Sequence, residues 1–120
     1  MMKKTLTPTY VATLIAASMC SSAIAASTPG DEITVTGYGT MSCGKFIESQ
    51  DKHEQLTRNF VVTWTQGFLS GANGFLHGYA NAPLKEAPDS ESISAYLEKY
   101  CRDKPLKSIY EGASALYLDL

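Results

Sequence analysis

Cys43, Cys101, Ser70, His53 and His77 are the side chains of this 120-residue sequence whose types could supply a thiolate, a nucleophilic hydroxyl, a base or a metal ligand. Spacing argues against most of that chemistry. Ser70 stands in Phe68-Leu69-Ser70-Gly71-Ala72, which lacks the glycine two residues upstream that a G-x-S-x-G nucleophile elbow needs to expose its serine on a strained turn. His77 has Glu86 and Asp89 as its nearest downstream carboxylates, beyond a proline-bounded stretch, so it reads as a hydrogen-bonded core or rim histidine and not as a base. His53 reads as a solvated surface residue. Neither downstream cysteine has a second Cys or His at metal-ligand spacing, so no zinc site and no cofactor are expected. Gly37-Tyr38-Gly39 lacks the third glycine and the strand-to-helix setting of a phosphate-binding loop. The chain is therefore expected not to be an enzyme.

The start of the chain sets the compartment in which the cysteines are read. Lys3 and Lys4 precede an uncharged, largely apolar run over residues 10–24 that closes on Ala23-Ile24-Ala25, the pattern of a secretory signal peptide over residues 1–25 with an A-x-A cleavage site. The run is short for a membrane span and polar residues follow it, so no membrane anchor is expected in the processed chain. Cys20 invites a lipoprotein reading, but Ala17-Ser18-Met19 lacks the leucine three residues before the cysteine and puts bulky Met where a small residue belongs. Export, with a periplasmic location, leaves Cys43 and Cys101 in an oxidising compartment, where a disulfide is the default for an even pair. Closing so long a loop contributes about 4 kcal/mol in the chain-entropy model. The formal net charge of −2 becomes more acidic once Lys3 and Lys4 are removed, so no basic stripe exists to neutralise phosphates and no nucleic-acid partner is expected.

Behind the leader, residues 26–41 are rich in Gly, Thr and Pro and alternate at Ile33-Thr34-Val35-Thr36, which reads as an extended arm or short edge strand. Residues 42–120 read as one helical domain. Ser42 is a plausible N-cap for a helix from Cys43 to about Gln50, with Phe46 and Ile47 inward. Residues 51–57 are polar and fit either a continuation or a turn. Asp89 or Ser90 can cap a helix carrying Ile93, Tyr96, Leu97, Tyr100 and Cys101 at helical spacing, a strong amphipathic signal. Pro105 sits where a first helical turn tolerates it, and Leu106, Ile109, Tyr110, Ala113, Leu116, Tyr117 and Leu120 repeat the period, with Arg102-Asp103-Lys104 as the tight turn between the two helices. Pro83 and Pro88 bracket a linker. The fold class expected is all-α, a small bundle of about four helices with one disulfide and an extended N-terminal arm.

The segment WTQGFLSGANGFLHGYA decides how that bundle is centred. At 100° per residue Gly67, Gly71, Gly74 and Gly78 fall on one ridge of a helix running from residue 56 to about 79, a spacing that a loop has no reason to keep. Phe60, Val61, Trp64, Phe68, Leu69, Ala72, Phe75, Leu76 and Tyr79 occupy a broad neighbouring arc. Thr63, Gln66, Ser70, Asn73 and His77 form an uncharged polar stripe, and no Asp, Glu, Lys or Arg occurs between Arg58 and Lys85. A helix without charge on any side predicts one that is covered on most sides, with a neighbouring helix packed against the glycines to offset the roughly 1 kcal/mol that each costs relative to alanine. A transmembrane small-xxx-small ridge fails on Gln66, Asn73 and His77, which lipid would leave unsatisfied.

Together SCGKF, WTQGFLSGANG and YLEKYCRDKPLKSIYEGASALYLDL resemble the Rap/Tai-type immunity proteins, small exported proteins of which several neutralise peptidoglycan-cleaving amidases delivered by type VI secretion. Cys43, Trp64, Gly67, Gly71, Asn73, Tyr100, Cys101 and Pro105 carry the resemblance, which covers most of residues 42–120. It implies a protein-binding inhibitor whose partner is a cell-wall-degrading amidase. Cys43, Cys101, Trp64, Gly67, Gly71, Asn73, Gly74, Gly78, Tyr100 and Pro105 are then scaffold, and no partner-contacting residue carries over. The two-cysteine helical layout also resembles the HdeA-type acid-stress chaperones, which lack the glycine-rich helix. That likeness implies unfolded periplasmic clients as partners. A homodimer stays open on the sequence alone.

Overall fold

The computed structural model describes residues 33–120; the leader, Cys20 and arm residues 26–32 lie outside the described residues. A 3-10 turn at Gly37–Thr40 is followed by α1 (Cys43–Asp51), α2 (Gln55–Ala80), α3 (Ser90–Asp103) and α4 (Ile109–Asp119). The all-α bundle expected from the sequence is the fold found, with a Cys43–Cys101 disulfide tying α1 to α3 across a Cα–Cα distance of 4.7 Å.

Three of the four α-helices, α1, α3 and α4, start where a short polar side chain takes an orphan N–H group of the first turn, whereas α2 begins after Glu54 with no side-chain cap. Ser42 accepts from the Lys45 N–H, Asp89 from that of Ser92 and Ser108 from that of Glu111. Ser108 and Glu111 form a full capping box. The first N–H groups of α1 find a second kind of partner. Cys43 and Gly44 donate to the carbonyls of Lys107 and Pro105, while Ile109 N–H returns to the Met41 carbonyl, so the entry to α1 and the α3–α4 loop are laced together. Residues 52–54 resolve as a turn in which His53 takes a left-handed φ of 57°, and α2 ends on Asn81 at φ 53°, a residue type that tolerates that region.

The core is Cys43 and Phe46 of α1, Val61, Val62 and Leu69 of α2, Ile93, Leu97 and Cys101 of α3, and Ile109, Ala113, Leu116 and Tyr117 of α4. These are the apolar stripes that the helical period picked out, and fully burying each large aliphatic or aromatic side chain contributes about 1.5–3 kcal/mol.

Three expectations change. Gly37–Thr40 is a 3-10 turn and not an edge strand, because Gly37 has φ 66° and the turn is held under Trp64, whose Nε1–H donates to the Thr36 carbonyl at 3.0 Å. The last helix begins at Ile109 and not near Pro105, because Ser108 supplies the better cap, and the connection is residues 104–108 and not the tight turn Arg102-Asp103-Lys104, since α3 runs on to Asp103. Leu106, which fits the period, is left 97 % exposed in the loop. The third change concerns the glycine helix.

Candidate interaction surface

Helix α2 is not covered on most sides. Its buried residues, Val61, Val62, Thr65 and Leu69, all lie on one side, and none of its residues after Leu69 is buried. At 100° per residue the four glycines point directly away from that side. A Cβ built at Gly67, Gly71, Gly74 or Gly78 meets nothing within 4 Å, so no neighbouring helix touches the ridge. The lack of charge had suggested coverage; its cause is different.

Part of the cause is the linker. The polar stripe beside the ridge holds residues 81–90 onto α2: Asn73 donates to the Lys85 carbonyl at 2.8 Å and accepts its N–H at 2.9 Å, His77 Nδ1–H donates to the Ala82 carbonyl at 2.9 Å, and Gln66 donates to Ser90 Oγ at 3.1 Å. Asn73 thus satisfies both backbone groups of one extended residue, as a paired strand would. Lys85 carries its Nζ on to the Tyr117 carbonyl near the end of α4 and lies over the Tyr117 ring. His77 sits on the rim with its ring tied to the linker, as the sequence suggested, and no carboxylate is bonded to it.

The opposite flank of the ridge is apolar. Trp64 and Phe68 stack at 5.8 Å, and Phe68 meets Tyr110 edge-on. Farther along, Phe75 and Tyr79 stack on each other at 5.5 Å while remaining 65 % and 82 % exposed. At the other end Leu56 and Phe60 are also exposed, Phe60 leaning on Tyr38. From Leu56 to Gly78 the outer face of α2 is therefore an uncharged strip, its glycine ridge flanked by Leu56 and Phe60 at one end and by Phe75 and Tyr79 at the other. Exposed Ser70 and Thr63 border it.

The sequence also pointed to residues that the structure places elsewhere. Tyr100 is half-buried beside Gly112 and under the Lys104 ammonium, 4.7 Å from its ring centre. Pro105 accepts the Gly44 N–H in the lacing of α1. Gly39, read in the sequence only as part of an incomplete phosphate-loop pattern, is the glycine that packing most demands, because a Cβ there would run into the Trp64 ring.

A second surface is charged. A cavity of about 490 Å³ opens between the α1–α2 turn and α3, lined by Asp51, Arg58, Glu91, Glu98 and Arg102 among others. Its cations are already engaged: Arg58 donates to Ser94 at 2.7 Å and pairs with Glu91, and Arg102 bridges Asp51 at 2.9 Å and Glu98 at 2.8 Å. Asp51 and Glu98 raise the Arg102 pKa further, as expected for a guanidinium between two carboxylates. These pairs cross-link helices and leave no free cation in the cleft to recruit an anion.

Among the described residues no group of three His, Cys, Asp or Glu converges to hold a metal, and no helix is long and apolar enough to cross a membrane. Scans against protein-family models, curated proteins and solved structures return no match. The assignment of a role then rests on the surface itself. Four glycines in mid-helix cost about 4 kcal/mol relative to alanine. Nothing in the fold requires them, since every one of their Cβ positions is open. No packing among the described residues offsets that cost at the ridge.

Proposed function

We propose that this chain is an exported protein-binding domain of the inhibitor or immunity type, which uses the outer face of α2 to dock on a protein and neutralise it. The single observation that carries the reading is the open glycine ridge flanked by exposed Leu56, Phe60, Phe75 and Tyr79. Contiguous exposed apolar surface of this kind marks association sites, and the missing side chains let a partner's backbone approach closely. The resemblance to Rap/Tai-type proteins supplies the class of partner, a cell-wall-degrading amidase, and the leader supplies the periplasm as the place of meeting.

The test uses the purified protein as bait on periplasmic extract of the source organism, beside a Gly71→Glu variant. A partner retained by the parent, lost with the variant and inhibited by the parent in the release of peptides from purified peptidoglycan supports the proposal. Equal retention by both baits, or a captured enzyme that is not inhibited, overturns it. The acid-chaperone alternative is separated by one further measurement. Suppression of client aggregation at about pH 2.5 and not at about pH 7 would replace the inhibitor reading.

A further inference from the structure

In the connection between α3 and α4, the turn at residues 104–107 carries Leu106, the most exposed large apolar side chain of the described residues. We infer that this turn is a preformed docking element for a second protein, one whose surface offers a leucine-sized apolar pocket rimmed by carboxylates. The turn is separate from the outer face of α2, and the inference goes beyond the reading of that face.

Rigidity is the first observation. The Lys107 N–H donates to the Lys104 carbonyl at 3.1 Å, which closes a tight turn with Pro105 and Leu106 at its corners, and the proline ring fixes one of the two φ angles there. The backbone is also tied to α1 on both sides of Leu106: the Gly44 N–H donates to the Pro105 carbonyl at 3.1 Å and the Cys43 N–H to the Lys107 carbonyl at 2.7 Å. Cys43 is joined through sulfur to Cys101 as well, so one residue of α1 fastens the chain ahead of the turn and behind it. A loose loop folds an apolar side chain back onto the nearest apolar surface, whereas this one holds Leu106 97 % exposed. Little ordering entropy is lost when a partner receives such a turn.

Charge is the second observation. Lys104 and Lys107 stand on either side of Leu106, and Lys45, next to the Gly44 that bonds Pro105, adds a third exposed cation. Among the described residues neither Lys45 nor Lys104 pairs with a carboxylate. Lys107 shares its ammonium with Glu111, whose carboxylate also takes the Ser108 N–H. Against these three cations stand Asp103 and the already engaged Glu111, so the turn is a basic spot in a chain of net charge −2.

Knob and cations together select the occupant. Burying one leucine contributes about ten- to a hundredfold in affinity, and carboxylates around the pocket speed the encounter and fix its register. An anionic bilayer would meet the same cations. One leucine, however, inserts far less apolar surface than a single myristoyl chain, which itself gives only marginal membrane binding. A fixed turn with one projecting side chain fits a pocket of defined shape, which a protein has and a bilayer lacks.

Photo-crosslinking from position 106 tests the inference. p-Benzoylphenylalanine replaces Leu106 in the full chain, produced in the source organism and illuminated in intact cells, beside a control that carries it in place of exposed Glu86. The expected result is one protein joined from position 106 and not from position 86. That protein, purified, is expected to bind Leu106→Ser at least about tenfold more weakly than the parent, although the variant melts at the parent's temperature. A Lys45→Glu, Lys104→Glu double variant is expected to bind more weakly and to flatten the dependence of affinity on salt. No product from position 106, a product with lipid or with a second copy of this chain in place of another protein, or equal binding by Leu106→Ser overturns the inference. An affinity of the parent that does not change with salt overturns the carboxylate rim.

Discussion

The indole of Trp64 lies so close over Gly39 that a Cβ on that glycine would fall 2.1 Å from Cζ2 and 2.4 Å from Cη2. Ring and backbone are both fixed. The Trp64 Nε1–H is held by the Thr36 carbonyl, and Gly39 is buried in the 3-10 turn. This contact docks the segment ahead of α1 onto α2.

Gly39→Ala is accordingly expected to destabilise the protein by about 1–3 kcal/mol, the usual cost of forcing bulk into a filled site. Gly74→Ala, at an open helical position, is expected to stabilise it by about 0.5–1 kcal/mol. Urea unfolding at low protein concentration, followed by tryptophan fluorescence, reads both. Effects of the same sign would mean that the ridge is covered.

Removing the Cys43–Cys101 bond by a Cys43→Ser, Cys101→Ser double substitution is expected to lower stability by about 4 kcal/mol, since the sequence separation of 58 leaves a long loop unconstrained in the unfolded chain. Both cysteines are fully buried, so the native protein should resist mild reductants and lose the bond only on unfolding. Chemical denaturation with and without reductant checks this; an unchanged midpoint would refute it.

Asn73→Ala is expected to release the linker from α2. It strands the N–H and carbonyl of Lys85, and leaving half-buried polar groups without partners costs about 1–3 kcal/mol. Amide hydrogen exchange at Lys85 should accelerate well beyond any change at Val61 or Leu97. Uniform acceleration would mean that Asn73 serves the whole fold and not the linker.

Acid acts through two caps. The Ser92 backbone N–H holds the Asp89 carboxyl below its ordinary pKa, and the Lys107 ammonium, followed by the Ser108 backbone N–H, does the same for Glu111. A folded-state pKa below the unfolded value stabilises the protein above the ordinary carboxylate range, and that contribution disappears as pH falls through the depressed value. An Asp89→Asn, Glu111→Gln double variant should therefore be less stable than the parent at pH 7. The two stability curves should converge below about pH 3. Parallel curves would assign acid sensitivity to other groups.

The helices, the caps at Ser42 and Asp89 and the disulfide were legible in the sequence because each rests on local information: a period of 3.6, a serine or aspartate before it, and an even pair of cysteines after the apolar N-terminal run. How α2 is surrounded was not legible. Periodicity reports that Val61, Thr65 and Leu69 share a face but carries no count of the helices that meet it. The missing charge at residues 59–84 read as burial because burial is its commonest cause, whereas Asn73, His77 and Gln66 spend their polarity on the linker and the glycines face outward. Leu106 continues the apolar period by coincidence of spacing, and the capping geometry at Ser108 overrides it. Nothing local to Gly39 announces that Trp64, twenty-five positions away, will lie on it.

The Cys43–Cys101 bond also encloses something. The chain between the two cysteines contains all of α2 and the irregular residues 81–89, whose Leu84, Glu86 and Ala87 are exposed. A protease that cut this linker would open the backbone without separating the pieces, because the fragment ending in the linker and the fragment beginning there would still be joined through sulfur. The nicked protein would keep its mass under non-reducing conditions, with α1 still fastened to α3. The persistence of the nicked protein would thus depend less on an intact backbone than on an intact disulfide.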